Sequence, residues 1–220
     1  MDSVEVETGT EASETGYLGG NSTAGLFSSH SEEEIEASLK LMASLYPGLV
    51  GWVLIPDTII DYPIMHGTDD TYYLRHSYDG SWTRPGSIFL SSLNAADFSD
   101  RYNVLYGHNQ NNGSMFSSLL NYDEDPDYLK EHPYFYVATL EGLRKYEIFS
   151  YFYVYPTDAM YTINYYNMSE YDVLVDACTK ASRVDTGVTV SEDDDILVLS
   201  TCNSTAKLRF VVCGKLLQGD

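Results

Sequence analysis

Cations are scarce in this chain: 12 lysines and arginines stand against 33 aspartates and glutamates, a formal charge of −21 over 220 residues. No basic residue precedes Lys40, whereas nine acidic ones do. So acidic a surface excludes nucleic-acid binding through phosphate contacts, and no polybasic segment supports docking to an anionic membrane. Cysteine is nearly absent too. Three residues, with no CxxC or CxxxC spacing, support neither a disulfide framework nor a structural zinc site. No apolar run approaches the roughly 20 residues needed to span a bilayer. The chain opens without the basic and apolar segments of a secretory signal, so either the protein is cytosolic or a targeting segment has been cut away.

Apolar residues make up 44% of the chain and aromatics 14%, enough to build a core and exclude global disorder. Twenty tyrosines favour strands and half-wet surfaces. Residues 1–30, acidic and rich in Gly, Ser and Thr, read as a flexible tether, and residues 31–220 as one domain. Ser31 with Glu34 forms a capping box ahead of Ile35, Leu39, Met42 and Leu45, and Pro47-Gly48 ends that helix. Short strands follow at Val50–Ile55, Asp61–Met65, Gly86–Ser91 and Tyr102–Tyr106. Two short helical pieces fall between Gly113 and Glu131, the second opened by Asp125-Pro126. A strand pair, Tyr134–Leu140 and Leu143–Tyr155, turns at Glu141-Gly142. The excursion from Pro156 to Val190 holds a helix starting at Ser169, capped by Asp172, with Tyr171, Leu174, Val175 and Cys178 on one stripe. About eight short strands with few long helices argue for a mostly β fold, a small barrel or closed sandwich. The acidic loop Asn94–Asp100 offers calcium a weak set of ligands, although a solvated loop is the simpler reading.

The last hairpin, ILVLSTCNSTAKLRFVVCGKL at 196–216, carries the chemistry. If Asn203 to Ala206 connect its strands, Cys202 faces Lys207 and Ser200 faces Arg209. Cys202 and Arg209 then share a face as diagonal neighbours, roughly 7–8 Å apart at the backbone. Cys178, on a helix stripe, and Cys213, among valines, read as buried inert thiols. Cys202 ends its strand among Ser, Thr and Asn, where a nucleophile and a structural thiol are equally good readings. Of five histidines, His30 lies in the tether, and His66, His76 and His132 suit surface or capping roles. His108 ends the apolar strand NVLYGH before the turn-rich NQNNGS, as Cys202 ends its own strand. In isolation it is better read as a loop histidine satisfied by its neighbours. No second ligand at a useful spacing supports metal binding.

Residues 102–116, YNVLYGHNQNNGSMF, and 197–216, LVLSTCNSTAKLRFVVCGKL, resemble the two signature segments of the sortases, the Gram-positive cell-surface cysteine transpeptidases. The helix ahead of Val50–Trp52 and the helix-bearing excursion before the cysteine strand resemble class B in particular. The resemblance covers residues 31–217 and implies a closed β-barrel of about eight strands, with an N-terminal helix and a helix before the penultimate strand.

It also implies roles. Cys202 would attack a threonine carbonyl in a sorting motif and form a thioacyl intermediate, and His108 would protonate the leaving amine and then deprotonate the incoming one. Arg209 would bind substrate backbone or oxyanion. Ser200, Thr201 and the N–H of Asn203 are further substrate or oxyanion candidates. Neither a cofactor nor a metal is implied. The tyrosine-rich strand Tyr146–Tyr155 and the excursion would wall the groove. The implied partners are an NPxTN-like or PxTG-like peptide of surface proteins and an amine of peptidoglycan. A pilin lysine, or water in an endopeptidase, are alternative acceptors, and a non-catalytic surface binding module is the remaining reading. The implied location is the outer face of a Gram-positive cell membrane, with the N-terminal anchor removed from this chain. The heavy acidity departs from what work against an anionic wall would suggest.

Overall fold

A helix start written into four residues opens the domain. Ser31 Oγ accepts the Glu34 N–H at 3.3 Å, and Glu34 Oε2 accepts the Ser31 N–H at 2.8 Å. Three glutamates in the first turn of α1 (Glu32–Leu45) complement its dipole. Its buried residues, Ile35 and Leu39, are four apart and face the sheet. The computed structural model describes residues 31–161, 168–202 and 207–218.

Beyond α1 run β1 (Leu49–Leu54), β2 (Asp61–His66), β3 (Ile88–Leu90) and β4 (Tyr102–His108). Two one-turn helices follow, α2 (Asn121–Glu124) and α3 (Tyr128–Glu131), then β5 (Tyr134–Thr139) and β6 (Gly142–Val154). After α4 (Met168–Ala181) come β7 (Ile196–Cys202) and β8 (Arg209–Leu216). The eight strands close into a barrel in the order β1-β2-β3-β4-β7-β8-β6-β5. The mostly β architecture, the strand number and the placing of both long helices match the sequence reading, which left barrel and sandwich open.

Strand alternation sorts the core into two sets. Leu105, Leu197, Leu199, Phe210 and Val212 pack with residues of the other strands inside the barrel. Val104, Tyr106, Val198, Val211 and Cys213 face outward and belong to a second buried cluster that includes Tyr171, Val175 and Cys178 of α4. The barrel thus has a second apolar layer on the β4-β7-β8 face, and the functional residues emerge where that layer ends.

Two boundaries differ from the sequence reading in ways that matter. β4 passes the Tyr106 bound and ends on His108, where the NVLYGH reading put the strand end, because its parallel ladder with β7 runs on to pair Gly107 with Thr201 and His108 with Cys202. The final hairpin is shifted by two residues. β7 pairs with β8 as Ser200↔Val211, not Ser200 with Arg209. Carried to the strand ends, that register sets Arg209 across from Cys202. The connection is longer than the four residues expected, since Lys207 and Leu208 form an exposed bend outside the strand. Arg209 is instead held in β8 by pairing with Val154 of β6. β3 is also shorter than read: Gly86 has a φ of +62° and turns the chain before the strand begins.

Candidate active site

Parallel pairing of β4 and β7 brings residues from two distant parts of the chain to one end of the barrel. His108 and Cys202 are lateral neighbours there. The Cys202 carbonyl receives the Asn109 N–H at 3.1 Å and faces His108 Nδ1 at 3.1 Å. The other ring nitrogen, Nε2, faces the Leu74 carbonyl at 2.9 Å. Both ring nitrogens therefore meet carbonyl oxygens. A neutral imidazole has one N–H and satisfies one of them, whereas the imidazolium donates to both. His108 is 8% exposed, so its ring is held by these contacts and little by water. Gly107 makes the close approach possible: a Cβ there would lie 2.4 Å from Ile88 Cδ1 and 2.6 Å from Phe116 Cδ2.

Arg209 lies over two aromatic rings, its Cζ 4.8 Å from the Tyr161 centroid and 5.4 Å from that of Tyr106. Among the described residues no carboxylate forms an ion pair with it. The guanidinium is thus fixed by aromatic faces while remaining uncommitted to an anion.

Ser200 is fully buried, its hydroxyl 2.8 Å from Tyr161 Oη, on the same strand face as Cys202. Thr201 points the other way and accepts the Phe210 N–H at 2.8 Å, which ties the two strands of the hairpin together. Asn203 lies outside the described residues.

The electrostatics at Cys202 oppose ionisation at rest. Burial pushes its thiol up to about 11; the Arg209 charge works against that shift and Asp70 adds to it. Asp70 sits on the β2–β3 connection, its carboxylate accepting the Ser92 N–H at 2.6 Å and the Ser91 hydroxyl at 3.2 Å. Burial also raises Tyr161, an effect partly offset by its bonds to Ser200 and Arg209.

Cys178 and Cys213 are buried, as expected. His66 binds the Asn94 carbonyl at 3.1 Å, and His76 stacks on Tyr72 at 3.9 Å. In the acidic loop, Asp100 accepts the Ala95 N–H at 2.7 Å and Asp97 the Ser99 N–H at 3.0 Å. Among the described residues no cluster of three His, Cys, Asp or Glu is placed to hold a metal ion.

Sequence reasoning did not single out Tyr106, Tyr161, Asp70 or the Leu74 carbonyl. Tyr106 was accessible, since it lies two residues before His108 and so shares its face. The other three come from loops whose approach to the site no local pattern encodes.

The arrangement, a half-buried thiol beside a carbonyl-held imidazole and an aromatic-held guanidinium, suits acyl transfer through a sulfur nucleophile. Comparison with known proteins agrees. The family model described as the Sortase domain matches residues 53–217. The chain is 37% identical to sortase B of Listeria monocytogenes over 193 residues, covering 84% of this chain and 76% of that protein. Sortase B from B. anthracis in complex with AAEK1 superposes with a TM-score of 0.75 at 32% identity, over 82% of this chain and 84% of that one. The Staphylococcus aureus sortase B–substrate complex has the same fold, with a TM-score of 0.79 at 24% identity over 87% of this chain and 88% of the other.

Proposed function

The chain belongs to the sortase family, with class B members as its relatives, and on that premise we propose that it cleaves a surface-protein sorting motif after threonine and transfers the acyl group to an amine of the cell wall. Homologues in the family are cysteine transpeptidases. The observation that carries the proposal is the double register, His108 beside Cys202 across the parallel ladder and an antiparallel ladder, Ser200↔Val211 at its end, that carried two residues further sets Arg209 opposite Cys202.

In this reading Cys202, once deprotonated, attacks the threonine carbonyl. Arg209 donates to the oxyanion that forms, with the Asn203 N–H as second donor by its place in the sequence. The ring of His108, held by two carbonyls, takes up the Cys202 thiol proton and as imidazolium gives a proton to the departing amine. It is then neutral and accepts the proton of the amine acceptor, so the cycle closes without net proton change. A thiol near 11 is mostly protonated at neutral pH, so the thiolate–imidazolium form is a minority species that the Arg209 charge favours. Tyr106, Tyr161 and Ser200 form the groove floor around the reacting atoms. The peptide motif is NPxTN-like or PxTG-like, and the acceptor a peptidoglycan cross-bridge amine. The place of action is the Gram-positive cell envelope, reached through an N-terminal anchor; no described helix is long and apolar enough to cross a membrane.

The test is intact-mass spectrometry after mixing the protein with a panel of sorting-motif peptides. A thioacyl adduct on Cys202, absent in Cys202→Ala and discharged by an added cross-bridge peptide to a ligated product, is the expected result. Discharge by water at the same rate with and without amine would make the protein an endopeptidase. Discharge only by a pilin lysine peptide would move the acceptor. An adduct on Cys178 or Cys213 would overturn the assignment of the nucleophile.

A further inference from the structure

The proposed reaction uses one of three thiols, and the other two are neighbours. Cys178 on α4 and Cys213 in the middle of β8 belong to one buried cluster, at 1% and 0% exposure, and each thiol perturbs the titration of the other. The backbone geometry explains their approach. Ser150 of β6 pairs with Cys213 across the sheet and donates its hydroxyl to the Cys178 carbonyl at 2.6 Å, which draws this turn of α4 onto the strands. Tyr102 Oη lies 4.0 Å from Cys178 Sγ on the remaining side. A second observation concerns access. A cavity of about 530 Å³ opens between β6, α4 and the turn Ala159–Tyr161. Phe152, Val154, Met160, Leu174 and Leu208 make it apolar, and Cys178 is part of its wall.

We propose that Cys178 and Cys213 form an oxidisable dithiol, a disulfide site that fastens α4 to β8 and is reached through this cavity by small uncharged disulfides. The two thiols are not equivalent. The neighbouring Cys213 and the Tyr102 hydroxyl pull Cys178 down, while burial and the neighbouring Cys178 push Cys213 up. Cys178, which also borders the cavity, is therefore the attacking sulfur. Its thiolate displaces one half of the reagent disulfide as a thiolate, leaving a mixed disulfide on Cys178. The released thiolate takes the Cys213 proton, and Cys213 sulfur attacks Cys178 sulfur and expels the second half. The sum is two protein thiols plus one reagent disulfide giving one protein disulfide and two reagent thiols. The new bond would close a long loop between the helix wall and the strand that presents Arg209.

The experiment uses this 220-residue chain with Cys202→Ala, which removes the third thiol, treated with 2-hydroxyethyl disulfide under native conditions. The expected result is loss of two hydrogens, a Cys178–Cys213 peptide in a non-reducing digest, and a midpoint of thermal unfolding raised by about 4–10 °C that reductant reverses. Adding Cys213→Ser should stop the reaction at a mixed disulfide on Cys178. Two free thiols after prolonged treatment, a persistent mixed disulfide when both cysteines are present, or a cross-link formed only in denaturant would each overturn the proposal. In the Cys178→Ser background, a mixed disulfide on Cys213 forming as fast as the one on Cys178 would overturn the order of attack.

Discussion

Replacing Arg209 with lysine separates charge from geometry at the site. The guanidinium lies over Tyr161 and Tyr106 at 4.8 and 5.4 Å, and the register of the hairpin, carried to its strand ends, sets it across from Cys202. A lysine keeps the positive charge but replaces a planar fork by a single ammonium on a flexible stem, so it cannot hold Tyr161 and also donate to an oxyanion. Loss of one oxyanion donor costs about 2.7–4 kcal/mol, and Arg209→Lys is therefore expected to lower kcat for motif-peptide cleavage by about 100- to 1,000-fold. The thiol should respond differently. Arg209 opposes the burial that pushes Cys202 up to about 11, and lysine supplies most of that opposition. The pH profile of iodoacetamide alkylation should keep its midpoint near that of the wild type in Arg209→Lys and move higher in Arg209→Met, where the charge is gone. Wild-type kcat in Arg209→Lys would refute the donor role. An unchanged alkylation midpoint in Arg209→Met would refute the electrostatic account of the thiol.

Three further outcomes follow from the same structure. His108→Ala should reduce kcat by about 100- to 10,000-fold, with Cys202 still open to alkylation, as read by peptide cleavage and intact mass. Gly107→Ala should cost about 1–3 kcal/mol in chemical denaturation, because its Cβ would collide with Ile88 and Phe116 in a closed barrel, and activity should fall as His108 shifts. Ser31→Ala removes the α1 cap and should cost about 0.5–2 kcal/mol while leaving kcat unchanged, since α1 packs chiefly on β1, β5 and β6 and the site stands on β4 and β7.

The strands were legible wherever alternation or a continuous apolar run met a turn signal, as at Asp61–His66, with Ser31 and Glu34 marking the start of α1. The three proposed catalytic side chains were legible only through their two signature segments; composition and periodicity left Cys202 open and favoured a bland reading of His108. Sequence misplaced the hairpin register by two residues, because hydrophobic alternation fixes which face a residue takes but leaves shifts of two equally satisfied. What decided between them was the third strand: β6 holds Arg209 against Val154, a pairing set more than 50 residues earlier in the chain. The same holds for the groups that tune the site. Leu74 and Asp70 reach it from the β2–β3 connection and Tyr161 from the excursion after β6, and their partners lie 21 or more residues away in sequence, as in the Leu74 carbonyl on His108, Ser91 on Asp70 and Tyr161 on Ser200. Sequence by itself determined the elements, their faces and the reactive residue types, all of which follow from local sterics and burial. Only the closed barrel decided which carbonyls hold the imidazole, which rings hold the guanidinium, and that two thiols meet behind the helix. Those contacts are long-range, and they form only once every strand has its neighbours.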